Sequence, residues 1–455
     1  MSLSYQEIQF PPLERFVPPK AAVATLSNGT KVFFLEDHEL PLVSLDAIVR
    51  AGTIYEPAAK AGLAWLTGET MHTGGSARFP GDEADEIVAA LGGDLAISIG
   101  SASGSGSVES TSDKFPQLVE MLSDHWFHPL FPEDKIELGK TAMRSAIARR
   151  NDQVTQVSQR AFQIAMYGAA SPLAREPEYK TVDAISREDL VAFHRSLLGV
   201  DRMILGVVGD FSTKEALELL ERGFGSAPRS VDPPAPGSTD PLRASARAVT
   251  FAQKSDVNQS SIRIGGIGIR RDHPDWPALR LGSSVLGTGG FSSRLRKRIR
   301  TELGLAYSVG GGFSAEYDRV GLFQCVCQTK SESTVLATEL ILEEIERMLA
   351  APPTAEELKL AREQILNAEV FEYDSSSRIL SRRLTLDYYG YPEAFLETFM
   401  ARIATVTPAE VLDAFRRHLE PSKLQIVIVG NEAQFDKPLS TLGPVTTLDL
   451  SIPNP

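Results

Sequence analysis

Cysteine is nearly absent from the 455 residues, which hold only Cys325 and Cys327. On a strand this i, i+2 pair points both side chains to one face. It is neither a C-x-x-C pair nor a disulfide framework, and it reads as two small apolar residues of a strand. An excess of positive charge is also missing: 46 Lys and Arg stand against 59 Asp and Glu, a net charge of -13. That balance argues against a general nucleic-acid binder, because neutralising phosphates requires the opposite surplus. No run of about 18 apolar residues occurs, so no helix is expected to span a membrane. The start, Met1-Ser-Leu-Ser-Tyr-Gln, lacks the basic and apolar regions of a signal peptide. A natural start of this kind implies the cytoplasm and a trimmed one leaves the periplasm open, so the compartment stays unassigned.

What is present suits a globular chain. Hydrophobic residues make up 42% and charged residues 23%, and the length predicts two to four structural units. After a Pro-rich lead-in at Phe10-Pro-Pro, residues 22–35 alternate around Ser27-Asn-Gly-Thr, a strand–turn–strand signal, and 42–49 continue as a strand. Residues 56–71 read as a helix with Pro57 in its first turn and Leu63, Leu66 and Met71 at helical spacing. A second helix is expected at 82–91, Ser/Gly-rich strands at 92–108, and helices at 114–126, 133–166 and 187–198. An apolar strand at 202–210 and a helix at 214–223 close this half. The proline-studded stretch from Pro228 to Pro241 suits neither helix nor inner strand and marks a boundary.

Beyond it the same order returns. Leu190-Val-Ala-Phe-His-Arg-Ser-Leu matches Leu412-Asp-Ala-Phe-Arg-Arg-His-Leu, the strand ending Val-Val-Gly209 matches the one ending Ile-Val-Gly430, and Pro132-Glu-Asp matches Pro353-Thr-Ala. Anchors this far apart keep one offset of about 221–222 residues, which implies duplication of the whole half. The expected fold is α+β: two homologous domains, 1–227 and 246–455, joined by a linker at 228–245. Each would be a mainly antiparallel sheet with helices on one face, since hairpins mixed with long helices do not give strict βαβ alternation.

The succession Leu26-Ser-Asn-Gly, Leu40-Pro-Leu-Val-Ser-Leu, Gly52-Thr-Ile-Tyr-Glu-Pro and Gly62-Leu-Ala, followed by a repeated half, resembles the inverted-zincin peptidases. That family includes insulinase, pitrilysin, mitochondrial processing peptidase and bacterial relatives, and the resemblance runs from Ala22 to Leu442. It implies that the Gly-Leu-Ala helix should carry H-x-x-E-H, whose two histidines bind zinc while the Glu takes a proton from the metal-bound water. Here the two histidine positions hold Trp65 and Glu69, the general-base position holds Gly68, and the third-ligand position on the helix from Glu133 holds Ala146. Trp and Ala cannot bind zinc, Gly cannot accept a proton, and one carboxylate leaves a metal underliganded. Glu69 with His72 is too small a set to rebuild the site. No metal or cofactor is therefore expected in this chain.

The second half keeps what the first has lost. Gly287-Thr-Gly-Gly-Phe-Ser-Ser-Arg294-Leu precedes Arg300-Thr-Glu-Leu-Gly-Leu-Ala-Tyr307, and this resembles the family's signature of an Arg and a Tyr seven residues later. The resemblance implies that Arg300 and Tyr307 hold a substrate carbonyl, a role suited to a permanent donor fork and a neutral phenol donor. Gly287, Gly289 and Gly290 lack the spacing of a phosphate loop. They read either as turn chemistry or as a shortened substrate-handling segment of the kind found in the non-catalytic subunit of mitochondrial processing peptidase. Arg294, Arg296, Lys297, Arg298 and Arg300 form a basic run beside an apolar Leu295/Ile299 stripe, either a solvated helix face or an attractor of acidic peptide or partner. His125 and His128 read as packing at a helix terminus.

The expected function is a non-catalytic subunit of a heteromeric zinc metallopeptidase. It would close the chamber and supply substrate contacts to an H-x-x-E-H-bearing partner that holds the zinc. The alternative is a structural or peptide-binding protein of the same fold with no peptidase role. Repeated domains also make a homodimer of the isolated chain compatible with the sequence.

Overall fold

The computed structural model describes residues 19–452; the Met1 start and the Phe10-Pro-Pro lead-in lie outside the described residues. In the first half come β1 (Ala22–Thr25), β2 (Lys31–Glu36), β3 (Leu42–Val49), α1 (Leu63–Gly74), α2 (Gly81–Leu91), β4 (Asp94–Ile99) and β5 (Gly104–Thr111). Helices α3 (Phe115–Phe127), α4 (Glu133–Arg149), α5 (Val154–Tyr167), α6 (Tyr179–Asp183) and α7 (Arg187–Leu197) follow, then β6 (Met203–Gly209) and α8 (Thr213–Phe224). In the second half come β7 (Ala248–Gln253), β8 (Gln259–Ile267), β9 (Ile269–Arg270), α9 (Trp276–Ser283), β10 (Ala306–Phe313), β11 (Ala315–Glu316) and β12 (Leu322–Lys330). Then follow α10 (Thr334–Ala350), α11 (Ala355–Glu369), α12 (Ser376–Tyr389), α13 (Phe395–Thr405), α14 (Pro408–His418), β13 (Gln425–Gly430) and β14 (Val445–Thr447).

The elements build two six-stranded sheets, ordered β1-β2-β6-β3-β5-β4 and β10-β12-β8-β13-β7-β14. Five strands of each correspond, from β2 to the edge strand β4 and from β7 to the edge strand β10: β6 and β13 lie parallel to β2 and β7, and antiparallel to β3 and β8. Each sheet is thus α+β and mostly antiparallel, as the sequence implies. The duplication extends to helix starts. Helices α7 and α14 both open on a capping box, Ser186 with Asp189 and Thr407 with Glu410, so the same local signal sets the same element twice. The outer strand differs, being a hairpin partner in β1 and a C-terminal parallel strand in β14.

Two expectations are modified. The helix foreseen over 133–166 is broken at 150–153 into α4 and α5, and the break lets α5 leave its own half. Helices do gather on one face of each sheet, but the opposite face is covered by a helix from the other half. Helix α5 buries Val157, Ala161, Phe162 and Met166 against Ala252, Val427 and Val429 of the second sheet. Its counterpart α12 buries Leu380 and Leu384 against Phe33, Leu35 and Val208 of the first. Glycine makes room in both places: a Cβ at Gly206 would lie 2.6 Å from Leu384, and one at Gly265 would lie 2.3 Å from Phe162. The hydroxyls of Ser158 and Ser261 pair at 2.8 Å and Arg263 donates to Ser158 at 3.0 Å, so the polar atoms of the α5 seam are satisfied.

Candidate functional site

The start of α1 is fixed by a buried acid. The Glu56 carboxylate accepts from the backbone N–H groups of Gly62 at 3.1 Å and Ala64 at 3.0 Å, and burial holds its pKa above the usual carboxylate range. From there α1 lies directly on β4. A Cβ at Gly68 would sit 2.8 Å from the Ile99 nitrogen and 3.1 Å from its side chain. The general-base position is therefore a close-packing glycine between helix and sheet, with no room for a side chain unless the helix lifts. Trp65 is 40% exposed, Glu69 and His72 are half-buried, and Ala146 lies on the exposed side of α4 between buried Met143 and Ile147. Of the four positions Trp65, Gly68, Glu69 and Ala146, only Glu69 offers a metal-ligating atom, so these residues do not fit the zinc implied by the resemblance.

Two further histidine readings are resolved by their neighbours. His125 contacts the Phe79 carbonyl at 3.0 Å, and His128 at the end of α3 lies 3.3 Å from Asp124, which is helix-end packing. Among the described residues, one group of three metal-capable side chains converges: His273, Asp275 and His418. Arg417 already forks onto both Asp275 oxygens at 2.9 and 2.8 Å, so a cation there would have to displace a guanidinium.

In the second half the segment after α9 is wound as two π-helical stretches, Ser284–Thr288 and Arg296–Glu302. Each glycine between them has a steric reason. A Cβ at Gly287 would lie 2.5 Å from the Gly311 backbone on β10, one at Gly289 would lie 2.4 Å from the Ser284 carbonyl, and Gly290 has φ +66°. Leu295 and Ile299 anchor the second stretch in the core. Arg294 forks onto Glu357 at 2.7 and 2.8 Å, tying it to the first turn of α11. That fork and the N–H of Thr354 hold the Glu357 pKa down to about 2.

The basic run therefore divides. Arg294 is structural and Arg298 lies 3.6 Å from Glu302, whereas among the described residues neither Arg296 nor Arg300 has a carboxylate partner. Arg300 is stacked between two rings, 4.9 Å from the centroid of Phe291 and 5.3 Å from that of Tyr307, and Arg296 lies 5.6 Å from Phe291. Tyr307 sits where the β10–β12 register slips between Ala306 and Ser308, a bulge that turns its ring outward. The ring is 83% exposed and Phe291 is 68% exposed. The structure thus brings Arg300 and Tyr307 together, and adds Phe291. Sequence reasoning missed Phe291, although a lone aromatic in Gly-Gly-Phe-Ser-Ser was the available signal. Beside this cluster a cleft of 740 Å³ separates the halves, lined by Thr53, Ser101 and Tyr167 on one side and by Arg296, Gly311 and Arg319 on the other.

Cys325 and Cys327 point into the core of β12, where burial pushes the Cys327 thiol up to about 12 and the Cys325 thiol higher still. They are packing residues, as the spacing implies.

Comparison with known proteins agrees with this architecture. The family model for insulinase (peptidase family M16) matches residues 31–175, and that for the peptidase M16 inactive domain matches residues 184–365. A non-peptidase homologue, YmxG of Helicobacter pylori, is 24% identical over 88% of this chain and 92% of its own. The crystal structure of a peptidase M16 inactive domain from Pseudomonas fluorescens superposes with a TM-score of 0.81 at 26% identity, covering 90% of this chain and 98% of that one. A chain of complex III from Candida albicans shares the fold at a TM-score of 0.72 and 13% identity, over 90% and 95% of the two chains. With the fold duplicated, the Gly-Leu-Ala helix in place and the H-x-x-E-H set replaced, the chain belongs to the M16 (insulinase) peptidase family as a non-peptidase homologue.

Proposed function

We propose that this chain is the non-catalytic subunit of a heteromeric zinc peptidase. It closes the chamber around a peptide and presents Arg300 and Tyr307 to a partner chain that carries H-x-x-E-H and its zinc. The observation that carries this reading is the asymmetry between the two sites. At α1 the general-base position is packed shut, while Arg300 and Tyr307 are held together and left open to solvent beside the cleft. A cation stacked between two rings is ordered before anything binds, which lowers the entropic cost of using it as a donor. The guanidinium fork and the phenol O–H can both donate to an oxygen that gains negative charge during acyl transfer.

The test is to mix the chain with an H-x-x-E-H-bearing M16 relative from the same organism and follow peptide cleavage. The mixture should cleave peptides that neither chain cleaves well alone, and the Arg300→Ala and Tyr307→Phe variants should lose that gain. Full activity in both variants would refute the assigned role. A stable assembly containing no zinc-bearing chain would favour a structural or peptide-binding role instead.

A further inference from the structure

A second cavity, separate from the Arg300 cluster, lies inside the second half under α9, α11, α12 and α13, with a volume of 490 Å³. That is within the range of small-molecule sites, about 300–1,000 Å³. Three arginines line it, and they are not equivalent. Arg382 is ion-paired with Glu369 and with Glu372 at 3.2 Å, which engages both carboxylates of the lining. Arg271 and Arg280 are left with none: among the described residues no acid lies within ion-pair reach of either. Arg271 is nonetheless held in place, its Nε donating to the Ala315 carbonyl at 3.0 Å and its guanidinium 4.2 Å from the centroid of Tyr317. Arg280 makes one long contact, from Nη1 to the Thr288 hydroxyl at 3.3 Å. Burial, and then the Arg271 charge, pull the Arg280 pKa below its usual value, so the Arg280 guanidinium is disfavoured by its surroundings. The lining also includes an apolar wall, Trp276 stacked on Phe399 at 6.3 Å together with Met400.

We propose that this cavity binds a small organic anion, a carboxylate carried on an apolar group, with Arg271 and Arg280 holding the carboxylate and the Trp276–Phe399 wall holding the apolar part. With Glu369 and Glu372 engaged by Arg382, two like charges that face one cavity with no acid in ion-pair reach among the described residues form a site whose missing partner is negative. The guanidinium forks match a planar carboxylate, and the aromatic wall selects against an ion with no apolar body. Thr288 lines both this cavity and the cleft between the halves, so an occupant drawing Arg280 inward would release the Arg280–Thr288 contact and reach the glycine-rich segment. The proposal does not depend on the peptidase-subunit reading.

Calorimetry on the full chain tests it, with N-acetylphenylalanine as the acid, its amide as the neutral control and inorganic phosphate as an anion without an apolar body. The acid is expected to bind, with the amide and phosphate each at least about tenfold weaker, as the loss of charged hydrogen bonds or of aromatic burial predicts. Arg280→Gln and Arg271→Gln should each weaken the acid at least about tenfold, with Arg280→Lys intermediate because it keeps charge and loses the fork. Melting of the free variants guards against misfolding: Arg280→Gln, which gives up one long hydrogen bond and a repulsive charge, should leave the melting temperature unchanged or higher, whereas Arg271→Gln also gives up the Ala315 and Tyr317 contacts and is read for binding only if it still melts cooperatively. Binding of the amide or of phosphate as tight as the acid, unweakened binding by folded Gln variants, or no heat with millimolar acid would each overturn the proposal.

Discussion

Segments α1–β4 and α9–β10 occupy the same place in the two halves, after β3 or β8 and before the antiparallel partner β5 or β12. They have been put to opposite use. Both rest a glycine on the edge strand, Gly68 on Ile99 and Gly287 on Gly311. In the first half that contact seals the helix onto the sheet and leaves Trp65 and Glu69 with no shared chemistry. In the second, the helix is underwound into π turns, the chain loops through Gly289 and Gly290, and the β10 bulge throws Tyr307 outward beside Arg300. One architecture can thus close a surface by close packing and leave another open by a local irregularity.

The largest way to break that comparison is to uncouple the halves. Phe162 is fully buried where α5 crosses onto the second sheet, so Phe162→Ala should cost about 3–5 kcal/mol in chemical unfolding. A cost below about 1 kcal/mol would mean that the helix exchange does not hold the halves together. Next comes the open site: in the mixed peptidase, Arg300→Ala should lower cleavage by about 100-fold, the loss typical of one transition-state donor. The closed site makes a prediction of opposite sign to helix propensity. Gly68→Ala would gain up to about 1 kcal/mol on an exposed helix, but here a methyl beside the Ile99 nitrogen should destabilise by about 1–3 kcal/mol. A stabilised variant would show that α1 is free to lift.

The smallest effect concerns the tie beneath the open site. The Glu357 pKa is depressed from its ordinary 4.5 to about 2, so its contribution to stability is present above pH 4.5 and is lost as the pH falls toward 2. The stability gap between the wild type and Glu357→Gln should therefore be constant at neutral pH and close over that acid window. A gap that persists at pH 2 would mean that the Arg294 fork is not what holds the segment.

Much of this was legible in the chain. The duplicated Leu-x-Ala-Phe helix and the Val-Gly strand after it predict equivalent elements because the same capping box and apolar alternation act locally in each copy. The replaced ligand positions follow from the resemblance to the family, and side-chain chemistry then decides that Trp, Gly and Ala cannot serve there. The break at 150–153 had a local signal that went unread, the polar Arg-Asn-Asp-Gln run between Ile147 and Val154; what was not legible is that α5 then packs on the other half's sheet, because its partners there are distant in the chain. Phe291 was missed because its value lies in the two guanidiniums that fold against it.

By itself, then, the sequence determined that there are two copies of one α+β unit, that the H-x-x-E-H chemistry is missing from the Gly62–Met71 helix, and that Arg300 and Tyr307 are kept. The internal repeat and local propensity suffice for the first statement, and the resemblance to the family together with side-chain chemistry for the other two. Only the tertiary structure decided that Gly68 is sealed against β4, that α5 and α12 are exchanged between the sheets, and that Arg271 and Arg280 face one cavity with no acid among the described residues in ion-pair reach of either. Each of these is a contact between residues distant in the chain, and close packing and charge neutrality act through space.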